Sequence, residues 1–318
     1  MAWADIGGAI PNHKPTLETM NIPLTFFWPL NCYDRRVQQI ILGQFAEAGA
    51  DFLNLNPPEL AAMMADPGEI MRWRRMMAAS GVSFRDAHAP YGPLQDLSCP
   101  VPELFPHMVE MHRHSLRLCA EFETGSLTIH VGRPTDFCRD TAKLHENMLR
   151  ALELLLPTAE ECRTIICIEN IWDANNTAGM LLDAIDRFKS PWLGICWDSG
   201  HAQLCRSDTP DVPEQCGRTS WKNSGFPQGP TEWSDTGDYL RRLLPHIVTC
   251  HLHTNDRVRD RHWIPTDPRG KTDWASEMPV LLSAPRLRQL QGEASPNADN
   301  PFTPRQHVES LKAIAAMG

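Results

Sequence analysis

Apolar, β-branched runs recur along the chain at intervals of roughly 30 to 50 residues, and each closes on a side chain able to bind a metal. In order they are SFRDAH, ending at His88; SLTIH, at His130; TIICIE, at Glu169; LGICWDSGH, with Asp198 and His201; IVTCHLH, with His251 and His253; and LRQLQGE, at Glu293. Short β-branched runs bounded by glycine read as strands, and the longer stretches between them carry the 3.6-residue apolar spacing of helices. After Glu169, for example, Thr177 is a candidate N-cap, and Met180, Leu181, Ala184, Ile185 and Phe188 form one helical face.

The same reading predicts strands at about 22–27 and 52–55 before the first of these runs. It predicts helices at about 35–48, 59–79, 104–121, 142–161, 178–188, 274–282 and 304–317. Strand and helix alternate from end to end, which predicts a single-domain α/β fold, a (β/α)8 TIM barrel spanning residues 1–318. In such a barrel all strand C-termini converge on one mouth, so the ends of the six runs become neighbours. Acids are almost never buried unless paired or bound to a metal, so an apolar run ending in a carboxylate is a specific signal. The stretch at about 202–237, rich in Pro, Gly, Ser and Trp, follows a strand end and is expected as a long loop over the mouth.

Composition adds exclusions. Thirty Lys and Arg against 39 Asp and Glu give a net charge of -9, so nucleic acid is not the expected partner. No run of 18 apolar residues predicts a membrane span, and the first twenty residues lack the basic start and apolar core of a signal peptide. The ten cysteines form no CxxC pair, and Cys167 and Cys196 share the strand face of Glu169 and Asp198, inside the barrel. Reduced thiols in the cytoplasm are the expectation. His112 and His114 fall on a helix and are expected at the surface. Trp28, Trp172, Trp197 and Trp263 lie near strand ends, either in the core or as a wall against a sugar face.

The motifs HAPYG, TIHVG, CIEN, GICWDSGH, HLHTND, DRHW and GEAS resemble the xylose-isomerase-like TIM-barrel superfamily, from the second strand through the eighth. That superfamily holds sugar and polyol isomerases, epimerases and dehydratases, and a zinc-dependent abasic-site endonuclease. The resemblance implies a carbohydrate-metabolising isomerase or epimerase with one divalent ion (Mn2+, Co2+, Mg2+ or Zn2+) held by Glu169, Asp198, His251 and Glu293. It implies Glu169 and Glu293 as the proton-transferring pair, and His88, His130, His201, Arg257, Asp260 and His262 as substrate contacts. The substrate would be a small sugar or polyol-derived ketone, and a homo-oligomer is compatible with the family. His88, His130, His201, Asp260 and His262, added to the four ligands, also match the nine-ligand, three-zinc set of the endonuclease branch. Against that branch, its HLGEG after DRH is replaced by WIPTDPRG, whereas DRHWIP followed by GKTDW resembles the DxHxxPGxGxxDW stretch of isomerase-like members. The aspartate usual after HLH is Thr254 here, with Asp256 two positions on.

Overall fold

The computed structural model describes residues 22–172, 176–205 and 236–318, so most of the expected 202–237 loop lies outside the described residues. Eight strands form one parallel sheet: β1 (Leu24–Phe26), β2 (Phe52–Leu55), β3 (Ser83–His88), β4 (Ser126–Ile129), β5 (Ile165–Glu169), β6 (Leu193–Asp198), β7 (Ile247–Leu252) and β8 (Leu290–Gly292). Hydrogen-bonded neighbours run in sequence order from β2 to β8, and β8 then pairs with β1. β1 and β2 lie side by side at the remaining seam. Asn56 Nδ2 bridges that seam just beyond the strands, donating to Trp28 O at 2.8 Å. The expected (β/α)8 barrel is therefore present, closed by backbone ladders on seven sides and by packing on the eighth.

The helices are α1 (Arg35–Glu47), α2 (Pro57–Ala65), α3 (Gly68–Ser80), α4 (Phe105–Glu121), α5 (Thr141–Cys162), α6 (Ala178–Phe188), α7 (Ser199–Leu204), α8 (Thr236–Leu243), α9 (Trp274–Leu281) and α10 (Pro304–Ala315). Thr177 caps α6 as its sequence predicts, accepting from Met180 N at 3.2 Å. The single helix expected at 59–79 is two, α2 and α3, broken at Asp66-Pro67-Gly68. Proline removes a backbone donor there, and Asp66 Oδ1 accepts instead from Gly68 N at 2.8 Å. Strand β8 is shorter than the expected 287–293: Arg288 N bonds to Val248 O at 2.9 Å, but the registered pairing with β1 and β7 spans only Leu290–Gly292. His112 is fully buried rather than at the surface, with Nε2 donating to Gln95 O at 2.7 Å; the helical pattern masked it because α4 packs this face against the barrel.

Alternation along each strand sorts the side chains into two environments. On β5, Ile166 and Ile168 face outward into the large core shared with the helices. Ile165 and Cys167 face inward and pack with Cys196 and Val248, as the shared face with Glu169 and Asp198 predicts. The rest of the interior is polar and cross-linked. Thr25 Oγ1 donates to Asp86 Oδ2 at 3.2 Å, Asn54 Nδ2 to Gln291 Oε1 at 3.0 Å, and Gln289 Nε2 to Ser126 Oγ at 2.6 Å. These paired polar layers form a floor beneath the strand ends, on which the site stands.

Candidate functional site

Just past β5, Asn170 fixes the end of β6. Its Oδ1 accepts from Asp198 N at 2.7 Å and its Nδ2 donates to Asp198 O at 3.0 Å. The chain then turns at once into α7, and Asp198 Oδ1 caps that helix by accepting from His201 N at 2.6 Å. Ser199 ties the turn to β7, its hydroxyl donating to His253 O at 2.8 Å and accepting from His253 N at 3.2 Å. Asn255 Nδ2 completes the tie by donating to Gly200 O at 2.8 Å. Gly200 is required by close approach, since a Cβ there would sit 2.0 Å from His253 Cε1. The DSGH run is thus a clamp that holds Asp198 and His201 beside the ends of β5 and β7.

Within this frame Glu169, Asp198, His251 and Glu293 converge, each offering one ligand atom within 4.8 Å of the others. His251 Nδ1 lies 3.1 Å from Glu169 Oε1, 3.2 Å from Glu293 Oε2 and 3.8 Å from Asp198 Oδ2. All four side chains are buried. The donor set fits a divalent ion chemically: three carboxylates and one imidazole whose ligand atoms converge. Glu169 Oε2 and Glu293 Oε2 are buried and accept no well-aligned hydrogen bond, although imidazole nitrogens lie 3.2 Å away, which leaves both oxygens open to a cation.

Two further groupings share the mouth. His88, Glu169 and His251 form one. His88 Nδ1 lies 2.8 Å from Ala89 O, a contact only its N–H can make, which turns Nε2 toward Glu169 Oε2 at 3.5 Å. His130 Nε2 approaches the same oxygen at 3.2 Å. The other grouping comprises His201, His253, Asp260 and His262. Here His262 Nε2 is 2.7 Å from Asp260 Oδ2, His201 Nε2 is 3.6 Å from that oxygen, and the rings of His253 and His262 stack at 4.1 Å. His262 Nδ1 donates to Glu293 O at 2.8 Å, linking this loop to β8.

Crowding these groups together decides their charge. Burial by itself would raise Glu169, but the His251 and His130 imidazoles outweigh it and hold its carboxyl well below the usual range. Burial likewise opposes ionisation of Asp260, and His262 and His201 override it. Burial disfavours the charged form of His262, yet Asp260 lifts it to about 10. Charged groups prevail because each faces opposite charges at short range.

A cavity of about 290 Å³ opens over the cluster, bordered by Tyr91, His130, Arg133, Glu169, Trp172, His201, Asp260, His262 and Glu293. The expected tryptophans divide accordingly. Trp172 lines this cavity, edge-on to His201 at 4.6 Å. Trp28, Trp197 and Trp263 are buried in packing, with Trp197 Nε1 donating to Glu277 Oε1 at 2.8 Å. Arg257 sits half-buried in the loop after β7 and does not border the described cavities. Asp256 shapes that loop, accepting from Val258 N and Arg259 N at 2.9 Å, while Thr254 bridges to Trp263. Arg133 borders the cavity, and Asp136 pairs with Arg139 at 2.8 Å. Sequence reasoning did not single out Asn170, Ser199 or Asn255, which orient the site without facing its cavity. His253 carried a signal in HLH, since alternate strand residues share a face.

The model of one family, the xylose isomerase-like TIM barrel, matches residues 42–284. An uncharacterized protein, y4fM of Sinorhizobium fredii, is 24% identical over 320 residues, which span 90% of this chain and 91% of that protein. Among solved structures, a D-tagatose 3-epimerase-like protein superposes with a TM-score of 0.69 at 16% identity, covering 92% of this chain and 96% of its own. The 3-keto-D-glucoside 4-epimerase of E. coli gives 0.65 at 14% identity, covering 92% and 98%. A Thermus thermophilus protein soaked with ZnCl2 gives 0.63 at 20% identity, covering 94% and 99%. At these identities the structural likeness is one of fold. The family match spans most of the barrel, and the chain belongs to the xylose isomerase-like TIM-barrel family.

Proposed function

We propose that the protein is a divalent-metal-dependent isomerase or epimerase of a sugar, ketose or polyol-derived ketone. The observation that carries this reading is the placement of Glu169 and Glu293. They come from β5 and beyond β8, flank one imidazole nitrogen at 3.1 and 3.2 Å, and border the same cavity. Several solved structures of the same fold are sugar 3-epimerases, which agrees with this class.

Glu169, Asp198, His251 and Glu293 would hold the ion, which supplies Lewis-acid polarisation of a substrate carbonyl. The carboxylates do the proton work. With Glu169 held ionised by its histidines, its basic form is available at neutral pH. One glutamate takes the proton from the carbon beside the carbonyl as that C–H bond breaks and an enediolate develops. The other returns a proton to carbon; delivery to the opposite face inverts the centre, and delivery to the neighbouring carbon interconverts aldose and ketose. His201, Asp260 and His262 supply donors and acceptors for the sugar hydroxyls, and Trp172 offers an apolar face. His88 and His130 brace Glu169 from the far side.

The test is solvent deuterium exchange into a panel of ketoses and inososes with Mn2+, Co2+ or Zn2+ present. Exchange at the carbon beside the carbonyl is expected; none with any member would overturn the reading. A second reading, a zinc-dependent phosphodiester hydrolase acting at abasic sites, is favoured by the three adjoining ligand groupings rather than one. Elemental analysis separates the two: about one ion per chain supports the isomerase set, and about three, with cleavage of abasic DNA, supports the hydrolase.

A further inference from the structure

A second cavity of about 530 Å³ adjoins the one over the carboxylates. The two share Tyr91, His262 and Glu293, so they are lobes of one opening divided by the Tyr91 ring. That ring stacks on His130 at 4.6 Å and meets His88 edge-on at 5.4 Å, yet the residue stays 55% exposed. Half of this large side chain is thus offered to whatever enters.

The lobes differ in chemistry. Around the first, carboxylates, imidazoles and Arg133 approach from several sides. In the second, ionisable groups lie only on the inner side, where His88, His262 and Glu293 belong to the reacting centre. Its outer wall is mainly Phe27, Pro57, Pro58, Ala61, Pro90 and Tyr91, drawn from the segments after β1, β2 and β3, with the uncharged Gln95 and Ser295 also on its border. That wall carries no Lys, Arg, Asp or Glu, and its prolines have no backbone N–H to donate. Gln95, Ser295 and the Tyr91 hydroxyl are the neutral polar groups that border this lobe, so a phosphate would meet no fixed positive charge on the outer wall and a second polyhydroxy ring would leave most of its hydroxyls unpaired, which counts against binding. Flat, rigid apolar surfaces suit an aromatic ring or a compact hydrocarbon.

Size points the same way. Small-molecule sites run to about 300–1,000 Å³, so the polar lobe is small for such a site, whereas the apolar lobe is nearly twice as large. We infer that the substrate is a conjugate, a polar hydroxyketone portion that reacts over Glu169 and Glu293, joined to an apolar ring-sized substituent that lies across Tyr91 in the adjoining trench. This rests on the isomerase reading for its reacting half, and on the wall chemistry alone for the other.

The test measures binding of metal-loaded protein, by calorimetry, to 2-ketohexoses, their 6-O-methyl and 6-O-phenyl ethers, and their 1-O-methyl and 1-O-phenyl ethers. The same ketoses are assayed in parallel for deuterium exchange. Phenyl derivatives should bind at least tenfold more tightly than methyl ones. Ala61→Trp, at an exposed position of α2 that borders the trench, should fill it and bring that ratio to within about twofold. Absence of a phenyl preference across the whole panel, undetectable binding included, overturns the inference, as does a preference that Ala61→Trp leaves intact. A phenyl preference without exchange from any ketose would keep the trench assignment and sink the reaction. Equal exchange from all three forms of a ketose would keep the reaction and sink the conjugate.

Discussion

Two regions of this molecule hold buried ionisable groups that behave in opposite ways. At the mouth, Glu169, Asp260 and Glu293 are held below the carboxylate range and His201, His251 and His262 above the imidazole range. In the barrel wall the groups stand alone and are driven neutral. Burial pushes Glu277 up to about 7, against its bond from Trp197. Burial likewise pushes His307 down to about 3, among Phe26, Trp28, Phe45 and Phe302. Desolvation opposes charge in both regions, so burial alone does not distinguish them. The distinction is company: opposite charges facing one another offset desolvation, whereas an isolated group escapes it by losing its charge. Concentrated charge inside a protein is therefore the mark of a site, and a lone buried acid is a matter of folding.

Four measurements press on that contrast. The largest effect is expected from Glu169→Gln, which removes the charge common to two of the three mouth groupings. Exchange activity should fall about 10³-fold or more, within the range for loss of a general base at a metal-competent position, and unchanged turnover would end the assignment. Next, a divalent ion should relieve repulsion among the mouth carboxylates. Thermal unfolding with metal at about a thousandfold excess over its Kd should show roughly 4 kcal/mol more stability than after chelation, and an unmoved melting temperature would argue that no ion is held.

The wall groups should give smaller effects of opposite sign in pH. His307 stays neutral in the fold down to about 3 while the unfolded chain takes up a proton below its ordinary 6.5. Stability therefore falls as pH drops below 6.5, by about 3 kcal/mol at pH 4, and His307→Phe should flatten that slope in denaturant titrations. Glu277 keeps its proton up to about 7, whereas the unfolded chain releases it near 4.5. Its contribution is complete below 4.5 and is lost as pH rises to 7, by at most about 3 kcal/mol. Glu277→Gln, whose side-chain oxygen still accepts from Trp197, should lose that share of the slope and keep the shares of Glu59 and Asp86, which burial also raises, to about 7 and about 6. Identical slopes for wild type and both variants would erase the distinction between the regions.

What the sequence carried by itself was periodicity and its punctuation. The alternation of β-branched runs and 3.6-spaced stretches located every strand, because each strand of a parallel barrel is buried on both faces and must be apolar through most of its length. The same burial made Glu169, Asp198 and Glu293 conspicuous, since an acid closing such a run needs a reason to be there. The α2–α3 break was written in Asp66-Pro67-Gly68, but the helical spacing on either side obscured it. Tertiary structure alone decided which strand ends meet at 3 to 4 Å, that His253 joins His201, Asp260 and His262, and that Asn170, Ser199 and Asn255 hold them. It also placed His112 inside and opened an apolar lobe beside the charged one. Those facts depend on distances between residues up to more than a hundred positions apart, and a local pattern of polarity holds no information about such distances until the barrel closes.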